Sequence, residues 1–286
     1  MFELILRGEV YKKTMSNLNL EIFDDVSLNL DRFESEGFIT FSSLDLSHIA
    51  FVRLDVIDIK NFSSDGADDK VLVKGAVLKD ICNAMDDSLS YDVVISFKDG
   101  DLTISLYEYD ILIVERSYPI PVDCKVYGVR YDNANKFTDD FISKITKGDA
   151  IKINVGHFKR CLSYMNDVIF GEVDSDKLEK YGRVGHRLVM NVSDDVLVME
   201  CDKKHIRDAM KGTVKVYLSQ LYSDAATSTT VDISYLTSFL EDIDEDITIT
   251  MNLYECYPLV MKYSDTGIDV IKCLAPIFAK EVKKEM

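Results

Sequence analysis

A helical pattern that occurs four times limits the folds open to this chain more than any other feature. Each of four short segments places side chains at positions i, i+3, i+4 and i+7, which puts them on one face of an α-helix. Runs of alternating or β-branched residues surround these segments and are typical of strands. Such repetition indicates a duplicated architecture rather than an enzyme domain built around one cleft. The four faces are Tyr11, Thr14, Met15 and Leu18; Leu78, Ile81, Cys82 and Met85; Phe158, Cys161, Leu162 and Met165; and Leu236, Phe239, Leu240 and Ile243.

The two halves of the chain also match each other in order. Residues 150–155 lead into the third helix as residues 1–6 lead into the first. Further along, residues 259–263 correspond to residues 102–106 at an offset of roughly 157 positions, about the length of an ordinary domain. We therefore predict an α+β protein with two domains of like fold, each with two helices packed on antiparallel sheets.

Domain boundaries are placed where this pattern changes. We expect an N-terminal domain over residues 1–121, a connector over residues 122–148 and a C-terminal domain over residues 149–286. Residues 174–183 form a charged stretch that we predict to be an exposed loop after the third helix. Strands are predicted at residues 2–6, 20–23, 26–30, 38–41, 49–57, 71–73, 92–97, 102–107 and 111–117, and at 150–155, 187–192, 196–201, 213–218, 229–233, 247–252, 258–263 and 268–273.

Composition narrows the class of protein. With 286 residues, of which 47% are hydrophobic, the chain can bury one or two full cores. Its net charge of −17, taken alone, argues against nucleic-acid binding, because phosphate contacts need clustered Lys and Arg. The six cysteines are scattered with no C-x-x-C pair, which favours buried small side chains over disulfides or zinc ligands. No apolar run is long enough to span a membrane, so we expect a soluble intracellular protein.

Motifs for catalysis or cofactor binding are not found. The chain has no phosphate-binding G-x-x-x-x-G-K-[ST], no G-x-S-x-G and no H-E-x-x-H. Its four histidines are isolated from one another in sequence. The acidic run Glu241–Asp246 fits a solvated turn better than a magnesium site, since no second carboxylate group is placed to converge on it. We expect no catalytic residue, no cofactor and no metal.

Basic residues recur on the polar faces of the predicted helices, in a chain otherwise dominated by Asp and Glu. Even in an acidic protein, a minority of basic residues on one face creates a local positive field that attracts phosphate. An ordinary solvated helix surface would give a similar pattern, and the fourth helix departs from it with Thr237, Ser238, Glu241 and Asp242. The basic residues are Lys12, Lys13, Lys74, Lys79, Lys159 and Arg160.

Several segments, in order along the chain, resemble the sliding clamps of the proliferating cell nuclear antigen family. They include the family's opening strand and helix, a loop in which an Asp and a Ser-His pair precede a strand, an interface strand, and a final hairpin with a Leu-Ala-Pro segment. The matching segments are Met1–Glu3 with Tyr11–Lys13, Leu44–Val52, Val214–Gln220, Tyr257–Tyr263 and Leu274–Ile277.

This resemblance implies a non-enzymatic DNA polymerase processivity factor. In the family, three subunits close head to tail into a ring, with helices lining a hole that holds duplex DNA without sequence preference and with sheets outside. The six basic residues would then face DNA. The strands Ile111–Ser117 and Thr213–Ser219 would meet between subunits, with Ile111, Ile113, Val114, Val216 and Leu218 at that interface. A homotrimer working at replication forks, with a DNA polymerase, a clamp loader and other enzymes as partners, is expected.

The resemblance also implies an apolar site for short clamp-binding peptides from those partner enzymes. The site would use the Ser-His loop, the connector and the C-terminal segment. Cys273 stands where the family usually has an aromatic residue, so we expect a roomier pocket there. The residues carried over are Leu44, His48, Ile49, Phe51, Tyr127, Val129, Pro258, Cys273, Leu274, Ala275 and Pro276.

Departures from the family pattern leave other hypotheses open. The fourth helix lacks basic residues, and the connector and the region 168–183 are longer than usual, as in a divergent or viral clamp. A checkpoint-type or heterotrimeric ring subunit would share the fold without self-assembling. A metal-dependent enzyme on a duplicated α+β fold is the remote alternative.

Overall fold

The computed structural model describes residues 1–30, 33–45, 50–65, 70–120, 142–144, 146, 150–170, 187–193, 195–201, 213–218, 227–254 and 257–277. The chain divides into two compact units. The first comprises residues 1–141 and 262–272, and the second comprises residues 142–261 and 273–286. Most of the predicted connector and all of residues 174–183 lie outside the described residues, and the predicted domain boundaries stay a prediction.

The described elements confirm the α+β class, with antiparallel sheets and few helices. In chain order they are β1 (Phe2–Arg7), α1 (Gly8–Asn17), β2 (Asp25–Asn29), α2 (Phe33–Glu36), β3 (Ile39–Leu44), β4 (Ala50–Val56), β5 (Ile59–Ser64), β6 (Lys70–Lys74), α3 (Gly75–Asp80), β7 (Asp92–Lys98), β8 (Asp101–Glu108), β9 (Ile111–Pro119), β10 (Ala150–Asn154), α4 (Val155–Phe170), β11 (Arg187–Ser193), β12 (Val196–Cys201), β13 (Thr213–Tyr217), β14 (Thr227–Asp232), α5 (Ile233–Glu241), β15 (Thr248–Asn252), β16 (Leu259–Asp265) and β17 (Ile268–Leu274).

The first unit is built on two sheets. One has the strand order β5-β1-β7-β8-β9, and the other contains β17-β4-β3-β2-β6. Alternation along β1 buries Phe2, Leu4 and Leu6 on one face, as expected of a strand with one side against a core. Helix α1 buries Tyr11, Thr14 and Met15 along the face that the periodicity predicts.

A buried hydrogen bond ties the two predicted helices of this unit together. The hydroxyl of Tyr11 donates to the backbone carbonyl of Leu78 in α3 at 2.5 Å. Burial raises the pKa of Tyr11 well above its ordinary value, so this hydroxyl remains a proton donor. Because the bond satisfies a polar group inside the core, it fixes the position of α3 against α1.

The C-terminal end of α1 rests on a second polar contact, made with strands β16 and β17. The Lys272 side chain is fully buried, and its Nζ donates to Oδ1 of Asn19 at 2.6 Å. The Tyr263 hydroxyl donates to Oδ1 of Asn17 at 2.5 Å. The buried amine of Lys272 is thus satisfied by a side-chain amide oxygen just beyond the end of the helix.

The second unit repeats the local arrangement of the first. Its sheet β13-β12-β11-β14 is antiparallel, and β10 pairs with β15. Helix α4 follows β10 directly, as α1 follows β1, and it packs against α5. The apolar faces of the two helices supply the core, with Phe158, Leu162, Leu236 and Phe239 all buried.

A glycine in the first turn marks the start of both repeated helices. The N–H of Gly8 donates to the carbonyl of Tyr91, and the N–H of Gly156 donates to the carbonyl of Glu245. A Cβ added at Gly8 would lie 3.0 Å from the Cβ of Tyr91, and one at Gly156 would lie 2.9 Å from the Cβ of Glu245. Only glycine lets the helix start lie this close to the segment before the next strand.

Three local predictions differ from the structure. Residues 20–23 form a turn rather than a strand, because Asn19 has φ 51 and its carbonyl accepts from the N–H groups of Ile22 and Phe23. Strand β5 was not predicted. The second helix is short, since α3 ends at Asp80 and a 3₁₀ turn over Ile81–Ala84 follows it.

Candidate functional site

The two basic residues on α1 are each engaged by a carboxylate. Lys12 forms an ion pair with Asp87, and its Nζ also donates to the carbonyl of Met85 at 3.4 Å. The Nζ of Lys13 lies 3.3 Å from Oδ2 of Asp265, whose side chain is only 5% exposed. Lys12 therefore pairs with an exposed loop, whereas Lys13 pairs with a buried acid.

The two basic residues on α4 also have different kinds of partner. The Nζ of Lys159 donates to the carbonyls of Glu241 and Ile243, at 2.8 and 2.7 Å. These carbonyls lie at the C-terminal end of α5, where a cation is favourable, so Lys159 caps that helix. Arg160 is exposed and lies 3.9 Å from Oε2 of Glu245.

The remaining basic residues of the predicted set lie beside and on α3. Lys74 ends β6 and pairs with Asp25, whose side chain is largely buried. Lys79 is exposed, and among the described residues it forms no ion pair. Among the six basic residues predicted to contact DNA, Lys13 and Lys74 pair with largely buried acids and Lys159 caps α5. The other three, Lys12, Lys79 and Arg160, have neither kind of partner within the described part of the chain.

A cleft of about 640 Å³ opens beside the start of α1. Its wall carries several charged side chains, and its three basic ones are all in ion pairs: Arg7 with Asp58, Lys12 with Asp87, and Lys60 with Asp92. The cleft also reaches the tip of the β8–β9 hairpin. Cations and carboxylates therefore neutralise each other along this side of α1.

Strand β9 is an edge strand with exposed apolar side chains. It lies at one end of the sheet β5-β1-β7-β8-β9. The hairpin turn before it has two residues with positive φ, Tyr109 and Asp110, as a tight two-residue hairpin requires. Ile111 is 65% exposed and Ile113 is 45% exposed, while Val114 is half-buried. An exposed apolar edge of this kind is a surface for pairing with another chain.

Strand β13 is an edge strand of the second unit. It lies at one end of the sheet β13-β12-β11-β14. The side chains of Val216 and Leu218 are buried within the unit, whereas Tyr217 is almost fully exposed. This edge would therefore contribute backbone groups and Tyr217 to a contact, rather than Val216 and Leu218.

The residues carried over for the peptide site are described only in part. His48, Ile49, Tyr127 and Val129 lie outside the described residues. In the first unit, half-buried Leu44 pairs across the strands with buried Phe51.

The C-terminal segment of the predicted peptide site belongs to the second unit. Cys273 and Leu274 are buried, whereas Ala275 and Pro276 are half-buried, as is Pro258. The N–H of Ile277 donates to the carbonyl of Thr230 at 2.8 Å and so holds this segment against β14.

Comparison with known proteins gives a clear answer only at the level of structure. No family model and no curated protein matches the sequence. The PCNA of A. fulgidus, solved with the C-terminal region of FEN-1, superposes with a TM-score of 0.68 at 14% identity, over 98% of this chain and 100% of that one. PCNA from Thermococcus kodakaraensis gives 0.68 at 12% identity, over 97% and 100%. The chain has the fold of the PCNA sliding clamps.

The clamp fold confirms the resemblance that the scattered motifs indicate, and it extends the likeness over nearly the whole chain. Among the described residues, His, Cys, Asp and Glu side chains do not gather in groups that could hold a metal ion. None of the helices in the described ranges is both long and apolar enough to cross a bilayer.

Sequence reasoning missed the acidic partners of the basic residues. Asp87 and Glu245 each lie in the loop between the second helix of a repeat and the following strand, where sequence alone indicates only a solvated turn. It also missed Tyr164, an exposed aromatic residue one helical turn after Arg160 on α4. The signal that could have found the carboxylates is the glycine in each first turn, which brings that loop against the helix.

Proposed function

We propose that this protein is a sliding clamp. Three copies close into a ring around duplex DNA, and the ring tethers a DNA polymerase and other DNA-processing enzymes without catalysing a reaction itself. The observation that carries the proposal is the fold, which matches PCNA clamps from end to end. Enclosure of DNA gives processivity without tight binding, so modest positive charge on the helices is enough.

The two edge strands support ring assembly. β9 belongs to the first unit and β13 to the second, and each leaves one side of its sheet unpaired within the described chain. Pairing of β9 in one copy with β13 in the next is a heterologous contact, which closes into a ring when the rotation between copies is right. Exposed Ile111 and Ile113 would add apolar contact area to this pairing.

The helices support non-specific contact with DNA phosphates. Lys79 and Arg160 are exposed, and the acids that face Lys12 and Arg160 are themselves exposed. Such contacts read no sequence, and their strength falls with salt because each releases a counterion from DNA.

Partner enzymes would bind through short peptides. The A. fulgidus PCNA structure contains the C-terminal region of FEN-1, which shows that a protein of this fold takes such a segment. In this chain the C-terminal residues from Cys273 to Pro276 would contribute to such a site. A peptide backbone lying beside an extended segment, with apolar side chains in a pocket, is a common mode of recognition.

Oligomeric mass, measured together with primer extension on a long template, tests the proposal. We expect a trimeric mass at micromolar concentration and longer products when the clamp and its loader are added. Changing Lys12, Lys79 and Arg160 to Ala should shorten the products, increasingly so as salt rises, while the mass stays the same.

The matched control changes two exposed lysines away from the repeated helix faces, Lys98 and Lys144, to Ala. We expect this control to keep full product length. A stable monomer that assembles only with other subunits would instead indicate a heterotrimeric ring. A trimer with no effect on product length would refute the proposed function.

A further inference from the structure

The first repeat holds an acidic loop against a basic residue of α1. The N–H of Gly8 donates to the carbonyl of Tyr91 at 2.8 Å, which brings the loop before β7 onto the helix start. Four residues after Gly8, Lys12 pairs with Asp87 from the same loop. The Asp87 side chain is 92% exposed, so its carboxylate remains in contact with water.

The second repeat has a related but looser pair on α4. The N–H of Gly156 donates to the carbonyl of Glu245 at 3.0 Å, and the loop before β15 lies on the helix start. Four residues after Gly156, Arg160 faces the Glu245 carboxylate at 3.9 Å. The Glu245 side chain is 72% exposed. Both helices therefore carry a basic residue opposite an exposed acid of the loop before the next strand, at neighbouring rather than equivalent positions, since the repeated faces align Lys12 with Lys159 and Lys13 with Arg160.

Burial separates these two pairs from the other ion pairs of the helices. Asp265, the partner of Lys13, is buried, and a buried charge that loses its partner is strongly destabilising. Asp87 and Glu245 are exposed, and an exposed ion pair contributes little to stability. If another anion took the place of Asp87 or Glu245 beside its cation, the stability of the fold would change little. If another anion took Lys13 from Asp265, the buried carboxylate would lose its partner and the fold would be disturbed.

We infer that Asp87 and Glu245 are built-in competitors of DNA phosphate for Lys12 and Arg160. The inference rests on the proposed function and defines how the grip on DNA is regulated. A carboxylate and a phosphate diester are both anions that accept hydrogen bonds from the same ammonium or guanidinium group. In free protein Asp87 is in an ion pair with Lys12 and the Glu245 carboxylate lies 3.9 Å from Arg160, so a phosphate that binds either cation competes with a carboxylate. The clamp therefore grips DNA less tightly than its count of basic residues implies.

Equilibrium binding of a fluorescent 30-base-pair duplex at low salt, followed by anisotropy, tests the inference. The variants are Asp87→Asn, Glu245→Gln and the double variant. Each single change should tighten binding by about two- to fivefold, the range that a lost exposed ion pair allows, and the double change should tighten it further. The control is Asp99→Asn, which removes the same charge at an exposed turn at the opposite end of β7. It should leave binding unchanged.

The same carboxylate change made in a Lys12→Met protein distinguishes direct competition for Lys12 from a general effect of net charge. In a Lys12→Met protein, Asp87→Asn should have no effect, because the cation for which Asp87 competes is gone. Lys12→Met alone should weaken binding and reduce the salt slope by about one.

The results distinguish failure of the inference from failure of the proposed function. Unchanged affinity in both carboxylate variants, with weaker binding in Lys12→Met, would overturn the competition and leave the clamp proposal standing. Tighter binding that persists in the Lys12→Met background, or that Asp99→Asn reproduces, would also overturn it. If the wild-type protein binds no duplex at low salt and does not lengthen the products of primer extension, the inference and the proposed function are both overturned.

Discussion

Replacement of the exposed isoleucines of β9 by serine should dissociate the proposed ring. Ile111 and Ile113 are 65% and 45% exposed in the isolated chain, on the edge strand that we propose to pair with β13 of the next copy. Burial of a whole isoleucine side chain is worth about 1.5–3 kcal/mol. If both side chains become buried on assembly, the two exposed fractions together contribute roughly 1.7–3.3 kcal/mol to each interface.

That energy has a large effect on assembly. A loss of this size weakens each interface by roughly 15- to 250-fold, since every 1.4 kcal/mol is a factor of ten. A trimeric ring contains three such interfaces, so the fraction of closed rings falls more steeply than this factor. At a concentration where the wild type is fully trimeric, we expect the Ile111→Ser, Ile113→Ser protein to be mainly monomeric.

Light scattering after size-exclusion chromatography, over a hundredfold range of loaded concentration, measures this shift. The matched control is Ile57→Ser, because Ile57 is 51% exposed but lies outside β9. Circular dichroism melting should show that both variants fold. A double variant with the mass of the wild type at every concentration would refute the role of β9 in assembly.

Three further outcomes follow from the structure. Pro276→Asp should abolish binding of a fluorescent clamp-binding peptide of the form Gln-x-x-aliphatic-x-x-aromatic-aromatic, because a desolvated carboxylate is costly in an apolar site; unchanged binding would place the peptide site elsewhere. Gly156→Ala should lower the free energy of unfolding by about 1–2 kcal/mol in a urea titration. Its Cβ would displace Glu245, whose carbonyl accepts from the N–H of Gly156 and from Nδ2 of Asn154, and this loss outweighs the better helix propensity of alanine. The exposed change Ser163→Ala in the same helix is its control and should cause no loss. Burial raises the pKa of Cys82 to about 11. The rate at which Cys82 is alkylated, measured by peptide mapping, should therefore be low at pH 8 and rise about tenfold per pH unit up to pH 9.5. A rate that levels off near pH 9 would contradict the raised pKa.

Periodicity predicts the elements that bury one complete face. Helix α5 buries Leu236, Phe239 and Leu240 as its spacing requires, and most strands with alternating apolar residues lie where the sequence places them. Strand β5 could not be predicted in this way, because Ile59–Ser64 has no buried side chain and pairs along its length with β1. Main-chain pairing leaves no period in the sequence.

The candidate site is predictable only as a list of charges. Spacing places Lys159 and Arg160 on one polar helix face, but it cannot reveal that Lys159 reaches the free carbonyls at the end of α5. That contact joins positions more than eighty residues apart in the chain. The role of a long, flexible basic side chain depends on which acceptor the fold brings within reach.

The buried lysine at the end of α1 offers a chemical probe of the native state. Amine-reactive reagents need access to the nitrogen, and the Lys272 side chain is fully enclosed. In folded protein this amine should escape acylation while exposed lysines such as Lys79 and Lys98 are modified. Any opening of strands β16 and β17 away from α1 would uncover it. The extent of modification at Lys272, read by mass spectrometry, therefore reports how often this part of the molecule opens under working conditions.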